Sequence, residues 1–176
     1  MRTNKQFNIR TFLLLALFIP FSFNVSFGHS DTQGKSPFRS NNYNSDNAFL
    51  RATGFGQKAI LSASIGAADK DAKTQLQGLL TQKMNSINNS FFQIANSTEQ
   101  EKAILNKLGK SIIKNIETQL IDRVEYYTDK DGYYKSWRAH QISKGEIIKK
   151  VNNSLILKSI DQQLKIKYIS YLESNI

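Results

Sequence analysis

The sequence predicts an α+β fold, in which helices pack on one face of an antiparallel sheet of about three strands. Three features lead to this prediction. An apolar stripe with helical spacing occupies residues 68–91, an alternating pattern with a turn motif begins at Leu120, and a further helical pattern runs towards the C-terminus. The expected order of elements is strand, helix, helix, hairpin and helix.

The first strand is predicted at residues 48–54, where Gly54 and the nearby Gly56 would let the chain turn or approach another backbone closely. The long helix that follows carries apolar residues at steps of three and four, the spacing of one buried helical face. These residues are Ala68, Ala72, Leu76, Leu80, Met84, Ile87 and Phe91. The small Ala68 and Ala72 predict close packing on the sheet. The polar residues predicted to end this helix are Asn88, Asn89, Asn96 and Ser97.

A second helix is predicted to begin at Thr98, which forms a capping box with Glu101. Its apolar face consists of Ile104, Leu108, Ile112 and Ile116. From Leu120 the pattern alternates, which predicts a hairpin over residues 120–142 with an Asp-Lys-Asp-Gly turn ending at Gly132. One face of its first strand is predicted to carry Leu120, Asp122, Val124 and Tyr126.

The last helical region is predicted to begin after Ser143, which forms a second capping box with Glu146. Its apolar positions are Ile147, Ile148, Val151, Leu155, Ile160, Leu164, Tyr168 and Leu172. The polar residues at 152–154 leave open whether residues 144–174 form one helix or two.

Residues 1–28 have the pattern of a secretory signal peptide that is cleaved before His29. The basic residues that open it are Arg2, Lys5 and Arg10. An apolar run at residues 11–23 and small residues at Ser26 and Gly28 complete the pattern. The apolar run is shorter than the ~20 residues of a membrane-spanning helix. We therefore expect an exported protein, periplasmic or secreted, with peripheral association with the outer membrane left open.

After the signal peptide, residues 29–47 predict a disordered linker, because they are rich in Ser, Asn, Asp and Gly and show no periodicity. Residues 48–176 predict a single α+β domain. The chain contains no Cys, so the core must hold the fold without disulfides.

The net charge of +10 favours anionic partners such as lipid headgroups, lipopolysaccharide, acidic glycan or nucleic acid. The Lys and Arg residues are scattered along the chain, which makes nucleic acid an unlikely partner. A solvated lysine-rich surface is the favoured interpretation, since a role in solubility is enough to explain the charge.

Sequence patterns for catalysis and cofactor binding are weak. The segment that starts at Gly54 fits a loose dinucleotide pattern, but the helical stripe occupies the place of the second strand that such a site needs. A calcium loop starting at Asp129 would have Tyr134 where glycine is required. His140 is the plausible general base, and no Ser or Thr lies in a nucleophile elbow. As a residue of the predicted hairpin, His140 is expected at the surface or half-buried. We expect no enzyme activity, no cofactor and no metal.

The hairpin combines aromatic and basic residues, which dominate the energetic centres of binding surfaces. The candidate partner surface consists of Tyr126, Tyr133, Tyr134, Trp137 and Arg138. The alternative is that one face packs on the helices while the other is an ordinary tyrosine-rich sheet surface.

Two blocks of the sequence resemble the LPP-twenty lipoprotein family. The first is the A-x-G-x-G strand ending at Gly56 with the A-x-x-D-A-x-x-x-L helix at residues 68–76. The second pairs the D-G-Y-Y segment at 131–134 with S-K-G-E at 143–146. The resemblance covers residues 48–151 and implies a small α+β domain of outer-membrane or surface lipoproteins, without catalytic residues. The chain lacks the lipobox cysteine usual in that family.

We therefore expect a non-catalytic exported protein that acts through protein–protein contacts in cell-envelope assembly or maintenance. Its partner would be an envelope protein or a second copy of the chain. The alternative function is a binding module for anionic surfaces (lipid headgroups, lipopolysaccharide or acidic glycan) that uses the basic, aromatic hairpin. Strong salt dependence of binding would favour this alternative.

Overall fold

A computed structural model describes residues 36–128 and 132–176. The predicted signal peptide, the start of the predicted linker and most of the predicted Asp-Lys-Asp-Gly turn lie outside the described residues. Gly132, the last residue of that turn, has a φ of 65°, in the left-handed region that favours glycine.

The α+β fold class is confirmed, with a three-stranded antiparallel sheet in the order β1-β3-β2. The strands are β1 (Phe49–Lys58), β2 (Gln119–Thr128) and β3 (Tyr133–Ser143). The helices are α1 (Leu61–Ala95), α2 (Glu99–Asn115), α3 (Lys144–Asn152) and α4 (Gln162–Asn175). Because β3 is the central strand, the hairpin joins one edge of the sheet to its centre and β1 forms the opposite edge.

Helix α1 lies directly against β1 at two glycines. A Cβ atom added to Gly54 would lie 2.2 Å from the carbonyl oxygen of Ala68, and one added to Gly56 would lie 2.1 Å from that of Ser64. The predicted close approach of backbones is therefore confirmed. The predicted end of the strand at Gly54 is wrong, because the glycines remain in extended conformation and β1 continues to Lys58.

The buried face of α1 contains all seven apolar residues of the predicted stripe. The helix ends at Ala95, where Asn96 adopts the left-handed conformation. Asn88, which was expected to help end the helix, is instead buried within it. The hydroxyl of Tyr168 donates a hydrogen bond of 2.7 Å to Oδ1 of Asn88, and Nδ2 of Asn88 donates to Oδ1 of Asn106 over 3.1 Å. This polar link joins α1, α2 and α4 inside the core, and burial raises the pKa of Tyr168.

The two predicted capping boxes differ in outcome. Thr98 and Glu101 form theirs at the start of α2. Ser143 makes no side-chain capping bond at the start of α3. The second prediction is therefore wrong. At this point the backbone N–H of Lys144 donates to the carbonyl oxygen of Ala48, which links the first residue of α3 to the residue before β1.

Three further details correct or complete the predicted helices and hairpin. On α2, Leu105 is buried and Ile104 only partly so. The C-terminal region forms two helices, α3 and α4, separated by a 3₁₀ turn at Leu155–Ser159 that Ser154 caps. In β2, a bulge after Leu120 shifts the register, so Leu120 pairs with His140 while Asp122 pairs with Ala139. Leu120 and Asp122 therefore lie on opposite faces, contrary to the simple alternation.

Part of the predicted linker packs against the face of the sheet that carries no helix. Phe38 is buried against Trp137, and the ring of Tyr43 lies 4.7 Å from that of Phe38. The Tyr43 hydroxyl donates a hydrogen bond to Oδ2 of Asp122 on β2. The folded domain thus extends to the N-terminal side of residue 48.

Asp46 fixes this segment along the outer edge of β1. Its carboxylate accepts hydrogen bonds from the side chain of Arg51 and from the backbone N–H groups of Ala48 and Phe49. These three donors, with the Arg51 side chain contributing most, lower the pKa of Asp46 to about 2.

The pKa of Asp46 predicts acid sensitivity of this attachment. Because the folded-state pKa lies below the unfolded-state value, ionised Asp46 stabilises the fold above pH ~4, and this contribution is lost as the pH falls towards 2. We expect Asp46→Asn to unfold more readily than wild type near neutral pH and equally readily near pH 2. Denaturant unfolding of both proteins across this range measures the difference. A difference that stays constant down to pH 2 would contradict the assignment.

Candidate functional site

The five residues of the predicted partner surface divide between the two faces of the sheet. In the register, Trp137 pairs with Val124, and Lys135 pairs with Tyr126. Paired residues of an antiparallel sheet share a face. Tyr126, Trp137 and, by alternation, Tyr133 therefore lie on the helix-free face.

Tyr134 and Arg138 lie on the opposite face, which α1 covers. Arg138 is only 4% exposed. Its guanidinium forms an ion pair of 2.6 Å with Glu125 and donates to the carbonyl oxygen of Trp137. Arg138 cannot contact a partner in this arrangement, so the five predicted residues do not form one surface.

Trp137 is the buried side chain on which its neighbours on the helix-free face pack. It is 5% exposed and packs between Phe55, at 4.9 Å between ring centroids, and Tyr126, whose ring meets it edge-on at 5.6 Å. Phe38 covers its remaining side. The indole therefore positions the side chains around it and does not offer a contact surface itself.

What remains is a patch that we call the hairpin face, in which Gln57, Tyr126 and Tyr133 are exposed and Phe55 and Lys135 are half-buried. Tyr126 is 53% and Tyr133 43% exposed. Phe55 and Gln57 join the patch because they pair with Trp137 and Lys135 across β1 and β3. The sequence pattern of the hairpin could indicate its tyrosines. The contribution of β1 could not be found without the strand order.

The turn between β1 and α1 adds to the same end of the sheet. Lys58, the last residue of β1, pairs with Tyr134 at the start of β3. Ile60, which follows it, is 65% exposed. In the described residues neither Lys58 nor Lys135 forms an ion pair. The hairpin face is thus apolar and aromatic with the basic side chain of Lys135, while Lys58 lies at the same end of the sheet on the opposite face.

A row of buried polar side chains lies on the other face of β3, beneath α1. Ser64 donates to the carbonyl oxygen of Gly56 and bonds to the hydroxyl of Ser136 over 2.8 Å. Further along the strand, Nε2 of His140 lies 2.7 Å from Oδ1 of Asp69, and Nδ1 lies 3.1 Å from Oγ1 of Thr118. His140 was expected at the surface or half-buried. It is buried instead, because α1 crosses the sheet above it.

The charge on Asp69 indicates which ring nitrogen of His140 carries a proton. Partial burial alone would raise the pKa of Asp69, but hydrogen bonds from Lys73 and His140 outweigh it and lower that pKa. An ionised carboxylate only accepts hydrogen bonds, so Nε2 of His140 carries a proton. With both ring nitrogens occupied and the ring 3% exposed, the imidazole links α1 to the start of β2.

A second exposed apolar feature lies far from the hairpin in sequence. A groove of about 700 Å³ runs between the end of α1 and α4, where Ile94 and Ile166 are exposed and Tyr171 forms part of the lining. Among the described residues that line the groove, no buried polar group points to a particular ligand.

The described residues contain no group of three or more side chains that could hold a metal ion. Within the same residues, no helix is long and apolar enough to cross a membrane. Comparison with known proteins adds no assignment, since no family model, no curated protein and no solved structure matches this chain. The resemblance to the LPP-twenty family therefore stays a prediction from its short motifs.

The position of Trp137 predicts a structural role that is separable from binding. Trp137→Ala removes the side chain on which Phe55, Tyr126 and Phe38 pack, so the free energy of unfolding should fall by about 3–5 kcal/mol. Trp137→Phe keeps an aromatic ring and should cost less. Denaturant unfolding of the two variants measures both. A Trp137→Ala protein as stable as wild type would show that the side chain is not a packing centre.

Proposed function

We propose that this chain is a non-catalytic, exported protein of the cell envelope that binds a partner protein through the hairpin face. In this role it contributes to the assembly or maintenance of the envelope. The proposal combines the export signal predicted from residues 1–28 with the surface that the sheet presents.

The observation that carries the proposal is the exposure of Tyr126 and Tyr133 on a rigid support. Both tyrosines stand on adjacent strands of a sheet, and Tyr126 rests edge-on against the buried Trp137. Tyrosine offers a large contact area at a low cost in side-chain entropy, and aromatic residues are enriched where binding energy concentrates. A patch held in place before binding loses little further entropy when the partner docks.

A non-catalytic role fits the surroundings of the best candidate for a general base. A catalytic imidazole needs a ring nitrogen within hydrogen-bonding reach of the substrate. In His140 both ring nitrogens already bond to Asp69 and Thr118 beneath α1. The hydroxyl and carboxylate partners resemble those of a catalytic triad, but the buried ring gives a substrate no access.

The alternative function, binding of an anionic surface, is favoured by Lys58 and Lys135. Lys135 lies beside the exposed tyrosines, Lys58 lies at the same end of the sheet on the opposite face, and neither has an acidic partner among the described residues. Two basic groups supply little attraction at physiological ionic strength, where charges are screened over about 8 Å. The exposed aromatic area therefore favours a protein partner.

The hairpin face can be tested with the double variant Tyr126→Ser/Tyr133→Ser. We expect it to lose the protein partner that wild type captures in a crosslinked pull-down from whole envelopes, because the exposed aromatic area is removed. The matched control is Ile94→Ser/Ile166→Ser, which removes two exposed apolar side chains from the groove at α4. It should retain the partner. Both variants should unfold within about 1 kcal/mol of wild type.

Two results would count against a protein partner at the hairpin face. Capture of the same protein by the tyrosine variant would place the contact elsewhere. Recovery of lipid or polysaccharide without a consistent protein, lost as the salt concentration rises, would favour the anionic-surface alternative.

A further inference from the structure

The two edges of the sheet differ in whether their backbone groups are already bonded. Along β1, the N–H of Phe49 donates to Asp46, that of Arg51 donates to Ser45, and that of Phe55 donates to Asp71, each over 2.9 Å. Polar side chains from the N-terminal segment and from α1 thus occupy this edge. A further strand could not pair with β1 without displacing them.

The β2 edge has no such cover among the described residues. Within them, β3 is the one element that packs extensively on β2. Among residues 36–128 and 132–176, the outward N–H of Arg123 bonds only to the carboxylate of its neighbour Asp122, over 2.7 Å. An edge strand of ten residues that no other described strand pairs on its outer side is a template for pairing with another strand.

From this difference we propose that β2 pairs antiparallel with β2 of a second copy of this chain, centred on Val124. In this register Arg123 of each copy lies opposite Glu125 of the other, so the dimer contains two pairs of opposite charge. The Glu125 carboxylate also binds Arg138 of its own chain through Oε1, and the pairing with Arg123 would use its second oxygen. Centring the pairing on Arg123 or on Glu125 would instead place two like charges directly opposite, which is destabilising. The charge pattern of β2 is therefore complementary to itself in one register.

The direction of the backbone groups agrees with this register. The hydrogen bonds at the outer edge of β1 show that its odd-numbered residues direct their backbone N–H groups away from the sheet. The strand pairings from β1 to β3 and from β3 to β2 then determine which residues of β2 direct their backbone groups outward. In β2, Val124 and Tyr126 therefore bond towards β3, while Arg123 and Glu125 point their N–H and C=O groups outward. Pairing centred on Val124 brings these outward groups together as hydrogen-bonded pairs.

The resulting dimer has a continuous six-stranded sheet with its twofold axis perpendicular to the sheet at Val124. Side chains of paired residues share a face, so both hairpin faces point the same way. A partner that presents two sites would be bound by both copies at once, with a gain in avidity. The pairing does not depend on the hairpin face binding any partner.

The absence of cysteine makes the register directly testable by disulfide trapping. In the proposed dimer the two Val124 residues form a non-hydrogen-bonded pair, with Cα atoms about 4.5 Å apart, a separation that a disulfide spans. In protein expressed as the full chain, Val124→Cys should form a covalent dimer under mild oxidation. The matched control is Thr53→Cys on β1, the edge that is already occupied. Its crosslinking should be at least about tenfold slower, because its thiol meets others only by random collision.

Sedimentation equilibrium provides a second readout that needs no cysteine. Wild type should dimerise at about 100 μM, since a single strand pairing is a small interface. In the Arg123→Glu variant, residue 123 of each copy lies opposite Glu125 of the other, so both pairs of opposite charge become pairs of like charge. Dimerisation should weaken by about tenfold. Arg123→Lys should restore it. Because the Arg123 side chain lies on the other face from the hairpin tyrosines, partner capture should survive in both variants.

Three results would overturn the proposal. Wild type that stays monomeric at this concentration excludes the dimer. Equal crosslinking of Val124→Cys and Thr53→Cys excludes the register. A dimer that Arg123→Glu does not weaken excludes the charge pairing at its centre.

Discussion

Helix α1 lies so close to β1 that no Cβ atom fits between them at Gly54 or Gly56. This contact determines much of the remaining structure. It brings the small side chains of Ala68 and Ala72 against the strand. It also places α1 across β3, where the longer side chains of Arg138 and His140 are buried and need polar partners. Those partners, Glu125 and Asp69, come from the neighbouring strand and from α1 itself. Close packing on β1 and a polar row on β3 are therefore two consequences of one helix position.

With one face of the sheet occupied by α1, the functional possibilities lie on the other face and at the edges. Within residues 36–47, Phe38 covers Trp137 and Ala139 on the free face, while Ser45 and Asp46 bond along the edge of β1. The hairpin face and the outer edge of β2 remain exposed. The rigid backing by Trp137 and the self-complementary charges of β2 distinguish these two surfaces from an ordinary solvated surface. Binding at one and self-association at the other would leave the domain core unchanged.

The sequence alone could predict whatever depends on local periodicity. The α1 stripe, the Thr98 cap and the hairpin are patterns within a few residues, and the glycines of β1 mark a close approach without naming the partner backbone. Contacts between distant segments were not predictable. The contact of Phe38 with Trp137 makes residues 36–47, the described part of the expected linker, a part of the domain. The contact of Asp69 with His140 makes a histidine that was expected at the surface or half-buried a buried link. The bulge at Leu120 also escaped prediction, because an inserted residue leaves no signal in a simple alternating pattern.

The measurement that tests the central claim most directly compares Gly54→Ala with Gly66→Ala by denaturant unfolding. A methyl group at Gly54 meets the backbone of Ala68 and Ala72, whereas nothing lies within 4 Å of a methyl group at Gly66 on the exposed side of α1. Gly54→Ala should lose about 3 kcal/mol or more of unfolding free energy, and Gly66→Ala should gain about 0.5–1 kcal/mol. A Gly54→Ala protein as stable as wild type would show that α1 does not lie against β1 at backbone distance, and would contradict the account.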